Sequence, residues 1–235
     1  MSRLADIRAT SRWSDIAEGQ PQHAGIAVFL TLGALHLLGD PAEAPRFLGL
    51  DAHGWARLSM ILALAHQGIV ALVFRLQLHR AVLTRVFGRH DMTVWAALFL
   101  PLLLARPATV FVAGWLDTTP LTGFRWAEVA AGAALIGVAA WVVRAVLMDF
   151  TLPRALGGDH FRDEIAAMPL VRDGPFGVVP NAMYGLAFLG LWGIALMFGS
   201  WNALVAAAFQ HAYIWVHMHC TEAPDMRWIY GGRAA

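Results

Sequence analysis

The sequence contains no lysine, so all 17 basic residues are arginine, a bias we read as compositional rather than functional. It holds one cysteine, Cys220, which excludes an internal disulfide framework and any zinc or iron–sulfur site built from several cysteines. Charge is scarce: 14% of residues are charged, against about 25% in soluble domains. The formal net charge is +1, and the arginines form no stripe interleaved with aromatics. No nucleic-acid partner is therefore expected. No glycine-rich loop joins a strand to a helix, which excludes a Rossmann unit. Apolar residues, by contrast, are plentiful. They make up 58% of the 235 residues, and ten are tryptophan. This is the composition of a membrane protein.

Six apolar runs approach the ~20 residues that a spanning helix needs. They cover about Ala24–Leu38, which is short, then Trp55–Leu78, Met92–Trp115, Trp126–Met148, Ala182–Phe198 and Trp201–His219. Gly199-Ser200 allows only a turn between the last two, so they form a tight helical hairpin. The expected fold is an all-α polytopic membrane bundle. Residues 1–22 mix Arg3, Arg8 and Arg12 with Asp6, Asp15 and Glu18, too acidic for a cleaved signal peptide. They read as a cytoplasmic tail with room for a short surface helix, and residues 23–235 read as one membrane domain. Arginines concentrate on alternate connections. One group is Arg75, Arg80, Arg85 and Arg89; another is Arg144, Arg154, Arg162 and Arg172; Arg227 and Arg233 lie at the end. The positive-inside rule then places both termini in the cytoplasm, and a bacterial inner membrane is the expected location.

Ionisable groups at membrane depth are costly and mark a functional interior by default. His36 and His66 read most simply as interhelical hydrogen bonders. Arg106 precedes Pro107, where a kink is expected. It either pairs with a freed carbonyl or contacts an anion such as a phosphate. The richest cluster is "FQHAYIWVHMHCTEAPDMRWIYGG". His211 and Glu222, eleven apart, return to nearly one helix face, and His219 neighbours Glu222. His217 falls on a different face from His219. Three readings stay open here: a metal site, an acidic holder for a cationic cofactor, and a helix end set by Pro224. The spacing matches no familiar metal-ligand pattern, and no metal is expected.

"GPFGVVPNAMYG", followed about forty residues later by "TEAPDMRWIYG", resembles the C-terminal cofactor region of membrane phospholipid methyltransferases. These lie within the superfamily that includes the isoprenylcysteine carboxyl methyltransferases, and the wording looks most like the phosphatidylethanolamine N-methyltransferase branch. The resemblance rests on Gly174, Pro175 and Phe176, on Asn181, Met183 and Tyr184, and on Thr221-Glu222. Ala182 stands where the family usually has Pro, and Pro180 replaces the usual Arg. The resemblance implies S-adenosylmethionine as cofactor, in a pocket built from about residues 170–231 without a Rossmann domain. Gly174, Pro175, Phe176, Asn181, Tyr184 and Glu222 are its expected cofactor-binding residues. A proline- and glycine-rich loop entering a helix lets backbone approach a ligand and leaves N–H groups for a carboxylate.

The implied reaction moves a methyl group to a phospholipid headgroup amine, phosphatidylethanolamine or its methylated forms, at the cytoplasmic face. The ammonium must first lose a proton, and His219 or His217 is the natural acceptor. Arg106 or Arg144 is a candidate for the lipid phosphate and Asp149 for the ammonium. The partner is thus a membrane lipid, and the sequence leaves the oligomeric state open. Three alternatives stand beside this reading: methyl transfer to a thiol or prenylated carboxylate, a non-enzymatic heme- or metal-binding membrane protein, and a purely structural subunit.

Overall fold

The computed structural model describes residues 2–39, 45–118 and 121–231. Arg233 lies outside them. The described chain is helical, with a single isolated β-bridge between Phe47 and Leu50. Its helices are α1 (Arg3–Thr10), α2 (Trp13–Ala17), α3 (Gln20–Leu37), α4 (Ala52–Arg80), α5 (Val82–Phe87), α6 (Asp91–Leu116) and α7 (Arg125–Ala145). There follow α8 (Leu152–Ala155), α9 (Asp163–Ala166), α10 (Pro175–Val178), α11 (Ala182–Gly185), α12 (Leu189–Phe198), α13 (Trp201–His217) and α14 (Ala223–Tyr230). Five-residue turns of the wider π type extend α7 (Val146–Phe150) and join α13 to α14 (Met218–Glu222).

Three helical stretches are long and apolar enough to cross a membrane: Ala52–Arg80, Val82–Leu116 and Arg125–Phe150. These are the expected second, third and fourth spans. The remaining three expected spans are helical, but length and composition do not mark them as crossings. Ala182–Phe198 is a shorter apolar stretch, and α13 has 17 residues. The expected hairpin is present. Gly199, at φ +66°, turns α12 into α13, and Ser200 caps α13 by accepting from the Ala203 N–H at 3.0 Å.

In hydrocarbon, helices gain little from hiding apolar side chains from one another and associate by close packing instead. Helices α7 and α12 show this. A Cβ on Gly193 would sit 2.7 Å from the Gly132 carbonyl oxygen, so the backbones touch. Helix α13 lies in the centre, packed against α3, α4, α6 and α12. Its small residues Ala203, Ala206 and Ala207 are fully buried there.

The expected surface tail is docked. Leu4 and Ile7 of α1 pack with Leu78 of α4, Ala166 and Ile229 of α14. The Leu4 N–H donates to Asp163 at 3.1 Å. The first and last helices thus meet at one end of the bundle, the end that also carries the 170–231 motifs.

Candidate functional site

The "GPFG" loop is shaped by its backbone. Gly174 takes φ +59° and precedes Pro175 in the first turn of α10. Phe176 stacks on Phe150 at 5.2 Å, which holds the loop against the end of α7. Asn181, exposed and left-handed at φ +55°, starts α11, and its carbonyl accepts from the Tyr184 N–H at 2.8 Å. Ala182, at the position that departs from the family wording, is fully buried. This turn delivers Tyr184 inward.

Tyr184 meets the second motif. Its hydroxyl donates to Glu222 Oε1, across 38 residues of chain. The same carboxylate oxygen lies 3.5 Å from His217 Nε2, which is itself 1% exposed. At that distance His217 has a charge partner but no hydrogen bond, and both of its ring nitrogens lack a hydrogen-bond partner. His23 of α3 stands edge-on to His217 at 5.7 Å, with its own Nε2 unpartnered. His217 lies on a different face from His219, as expected, and the π turn brings it to Glu222. The wider turn at Met218–Glu222 changes the register, so Glu222 comes back over His217. His219, by contrast, is exposed beside Trp215.

Residues to which the sequence assigns no site role hold Glu222 in place. A π turn leaves carbonyls without their usual helical donors. Arg75 of α4 supplies them: Nη2 donates to the carbonyls of Cys220 and Thr221, each at 3.2 Å, and to that of Glu18 at 3.0 Å. Gln20 donates to the Cys220 carbonyl and the Thr221 hydroxyl, both at 3.3 Å. Gly19 must be glycine here, because φ is +78° and a Cβ would meet the Cys220 oxygen at 2.1 Å. Arg75, which the arginine pattern groups with the connection after the second span, is 1% exposed inside α4 and pairs with Asp225 at 2.9 Å. Pro224 likewise does not end the last helix but sits in the first turn of α14.

Asp225 belongs to a buried charged cluster outside the spans. His160 lies between Asp159 (Nδ1, 2.9 Å) and Asp225 (Nε2, 3.2 Å), stacked on Phe74 at 4.1 Å. Burial opposes a charged ring, but the two carboxylates overcome it and raise His160 to about 10. Burial likewise works against the Asp159 carboxylate, yet His160 and Tyr230 hold it below its ordinary value. The Tyr230 hydroxyl, pushed up by burial and by Asp159, stays protonated and donates to Asp159 at 2.9 Å.

The remaining expected residues are dispersed. Arg144 and Asp149 are exposed at the end of α7, and among the described residues no contact joins them to Tyr184, His217 or Glu222. Arg106 is buried in the middle of the bundle. Its Nε donates to Gln210 at 2.7 Å and its guanidinium lies over Phe188. His36 is exposed, not engaged between helices, and His66 is buried with neither ring nitrogen bonded. Both differ from the hydrogen bonders expected.

Residues 127–233 match the family described as phospholipid methyltransferase. A phosphatidylethanolamine N-methyltransferase of Scheffersomyces stipitis is 38% identical over 74 residues, 32% of this chain and 9% of that protein. One of Lodderomyces elongisporus is 32% identical over 109 residues, 45% of this chain and 12% of that protein. One of Clavispora lusitaniae is 36% identical over 74 residues, 32% and 9% of the two chains. The chain therefore spans about a tenth of the length of these curated relatives, 9–12%. They come from yeasts and lend nothing to a bacterial location. No solved structure matches. Both motifs, with Tyr184, His217 and Glu222, fall inside the matched stretch, whereas Arg75, His66 and Arg106 fall outside it. By these matches the C-terminal part of the chain, residues 127–233, is similar to the phospholipid methyltransferase family.

Proposed function

We propose that the chain transfers a methyl group from S-adenosylmethionine to the headgroup amine of phosphatidylethanolamine or its methylated forms. The reaction takes place at the cytoplasmic face of an integral-membrane bundle formed as one domain by residues 23–235. One observation carries the reading: Tyr184 and Glu222, from the two motifs, meet in a direct hydrogen bond. The packing of α1 on α14 supports both termini lying on one side of the membrane.

The donor set suits a cationic ligand with a carboxylate tail. Glu222 is only partly buried, and its Oε2 remains available for an ammonium or ribose hydroxyl. The Gly174–Tyr184 loop forms the other wall, with Asn181 exposed on it. When bound, S-adenosylmethionine supplies the activated methyl group. The protein's part is to position the acceptor nitrogen and to take its proton. His217 is better placed than His219 to hold that proton. It is buried with its Nε2 3.5 Å from the Glu222 carboxylate, and its ring nitrogens make no hydrogen bond. Arg106 remains the cation proposed for the lipid phosphate. Arg144 and Asp149 are placed to meet lipid at the surface rather than inside.

Titration of the purified protein with S-adenosylmethionine tests this reading. Glu222→Gln should weaken binding about 10–100-fold, the usual worth of a charged hydrogen bond. Unchanged affinity, or label from the methyl donor appearing on a thiol or carboxylate instead of a phospholipid, overturns it.

A further inference from the structure

Above the Tyr184–Glu222 contact, the bundle interior carries a second set of buried polar groups. Helices α4 and α13 run the same way, since Ser59 meets Gln210 and, further along, Arg75 meets Cys220. Ser59 and His66 are seven apart on α4, and Gln210 and His217 are seven apart on α13. Seven residues make nearly two turns, about 10 Å, and return to the same face. The two helices therefore present two rungs to each other: Ser59 with Gln210, and His66 with His217.

On the first rung, Gln210 Nε2 donates to Ser59 Oγ at 2.7 Å, and Gln210 Oε1 accepts from Arg106 Nε at 2.7 Å. Both functions of the amide are thus used to fix Arg106, which is 3% exposed and whose Nη2 has no partner. On the second rung, His66 is 1% exposed, with Phe99 edge-on at 4.6 Å and neither ring nitrogen bonded. His66 lies close enough to feel the charges of both Arg106 and His217. Helix α6 begins at the motif end, where Asp91 pairs with Arg162 at 2.6 Å. A helical side chain leans toward its helix's N-terminus, so the Arg106 stem is directed toward the second rung.

Unpartnered donors inside a membrane bundle are costly, and a ligand that completes them relieves that cost. An arginine fork with a free terminal nitrogen can donate to an anion, and it matches the geometry of a phosphate. We propose that Arg106 and His66 form an interior phosphodiester site. It draws the acceptor's headgroup into the bundle, with the phosphate between the rungs and the amine directed toward His217. The proposal rests on the reading of the chain as a phospholipid methyltransferase. Its residues on α4 and α6 lie outside the family-matched stretch.

The test compares two acceptors on the purified full chain: phosphatidylethanolamine, and a long-chain N-alkylethanolamine that lacks the phosphate. The ratio of kcat/KM for the first over the second should fall about 10–100-fold in Arg106→Gln, the scale of one charged hydrogen bond, and in the same direction in His66→Gln. His66 makes no hydrogen bond in the fold, so its variant keeps the test open if Arg106→Gln does not fold. Inorganic phosphate should compete weakly in the wild type. Strong competition by inorganic phosphate, with no preference between the acceptors, would assign the site to the free anion and overturn the lipid assignment. An unchanged ratio in both variants removes this proposal alone. Wild-type protein that methylates neither acceptor removes the underlying reading, and the proposal with it.

Discussion

Replacing Arg75 with methionine tests how the π turn is held. Arg75 and Asp225 are 2% and 0% exposed at the side chain and 2.9 Å apart. Methionine keeps most of the volume and removes the charge, so Asp225 keeps only His160 as a cationic partner and the Cys220 and Thr221 carbonyls lose a donor. Breaking one half of a buried pair costs about 3–5 kcal/mol. For a chain of this size, each kcal/mol lowers Tm by about 2–4 °C, which gives a fall of roughly 6–20 °C. Thermal unfolding of the detergent-purified protein measures it. Adding Asp225→Asn should cost less than the two single losses summed, because the carboxylate that lost its arginine is gone. Affinity for S-adenosylmethionine should fall as well, since Glu222 sits on the turn that Arg75 holds. A Tm shift under roughly 2 °C, corresponding to less than about 1 kcal/mol, with unchanged affinity would refute the reasoning.

Tyr184→Phe should weaken S-adenosylmethionine binding about 10-fold or more by deleting the hydrogen bond to Glu222, read by isothermal titration. Gly19→Ala should lower Tm as well, because its Cβ meets the Cys220 oxygen at 2.1 Å and its φ of +78° disfavours a side chain; equal melting temperatures would contradict that contact. His160 carries a pH signature. Its value rises from 6.5 in the unfolded chain to about 10 in the folded one. Its stabilising contribution is thus complete below pH 6.5 and is lost as pH climbs through 10. The stability gap between wild type and His160→Gln should narrow over that window, and a gap that widens there would reverse the assignment.

The long apolar runs were legible because hydrocarbon dictates them. The run expected at Trp55–Leu78 is the helix Ala52–Arg80, and Met92–Trp115 is Asp91–Leu116. The fifth run was read as one helix but divides into α11 and α12. There the ladder tightens to three-residue bonds, such as Gly190 N–H to Ala187, and a uniformly apolar run carries no mark of that. The Tyr184–Glu222 meeting was foreshadowed by the two motifs. Its third member, His217, depends on a π turn that helical spacing does not anticipate. Arg75 was hidden for another reason. An arginine near a helix end reads as an interfacial charge, and its partner Asp225 is 150 residues away in sequence. Asp159 and His160 lay in a polar segment with no motif to single them out, and nothing marked Asp225, inside the second motif, as their partner.

The central claim is that Tyr184, Glu222 and His217 serve methyl transfer to a phospholipid amine. The direct measurement is lipid mass spectrometry of a host that lacks phosphatidylcholine, expressing this chain or its Glu222→Gln variant. The account predicts mono-, di- or trimethylated phosphatidylethanolamine with the wild type and little or none with the variant. Unmethylated phosphatidylethanolamine alone, from cells that hold folded wild-type protein with bound S-adenosylmethionine, would contradict it.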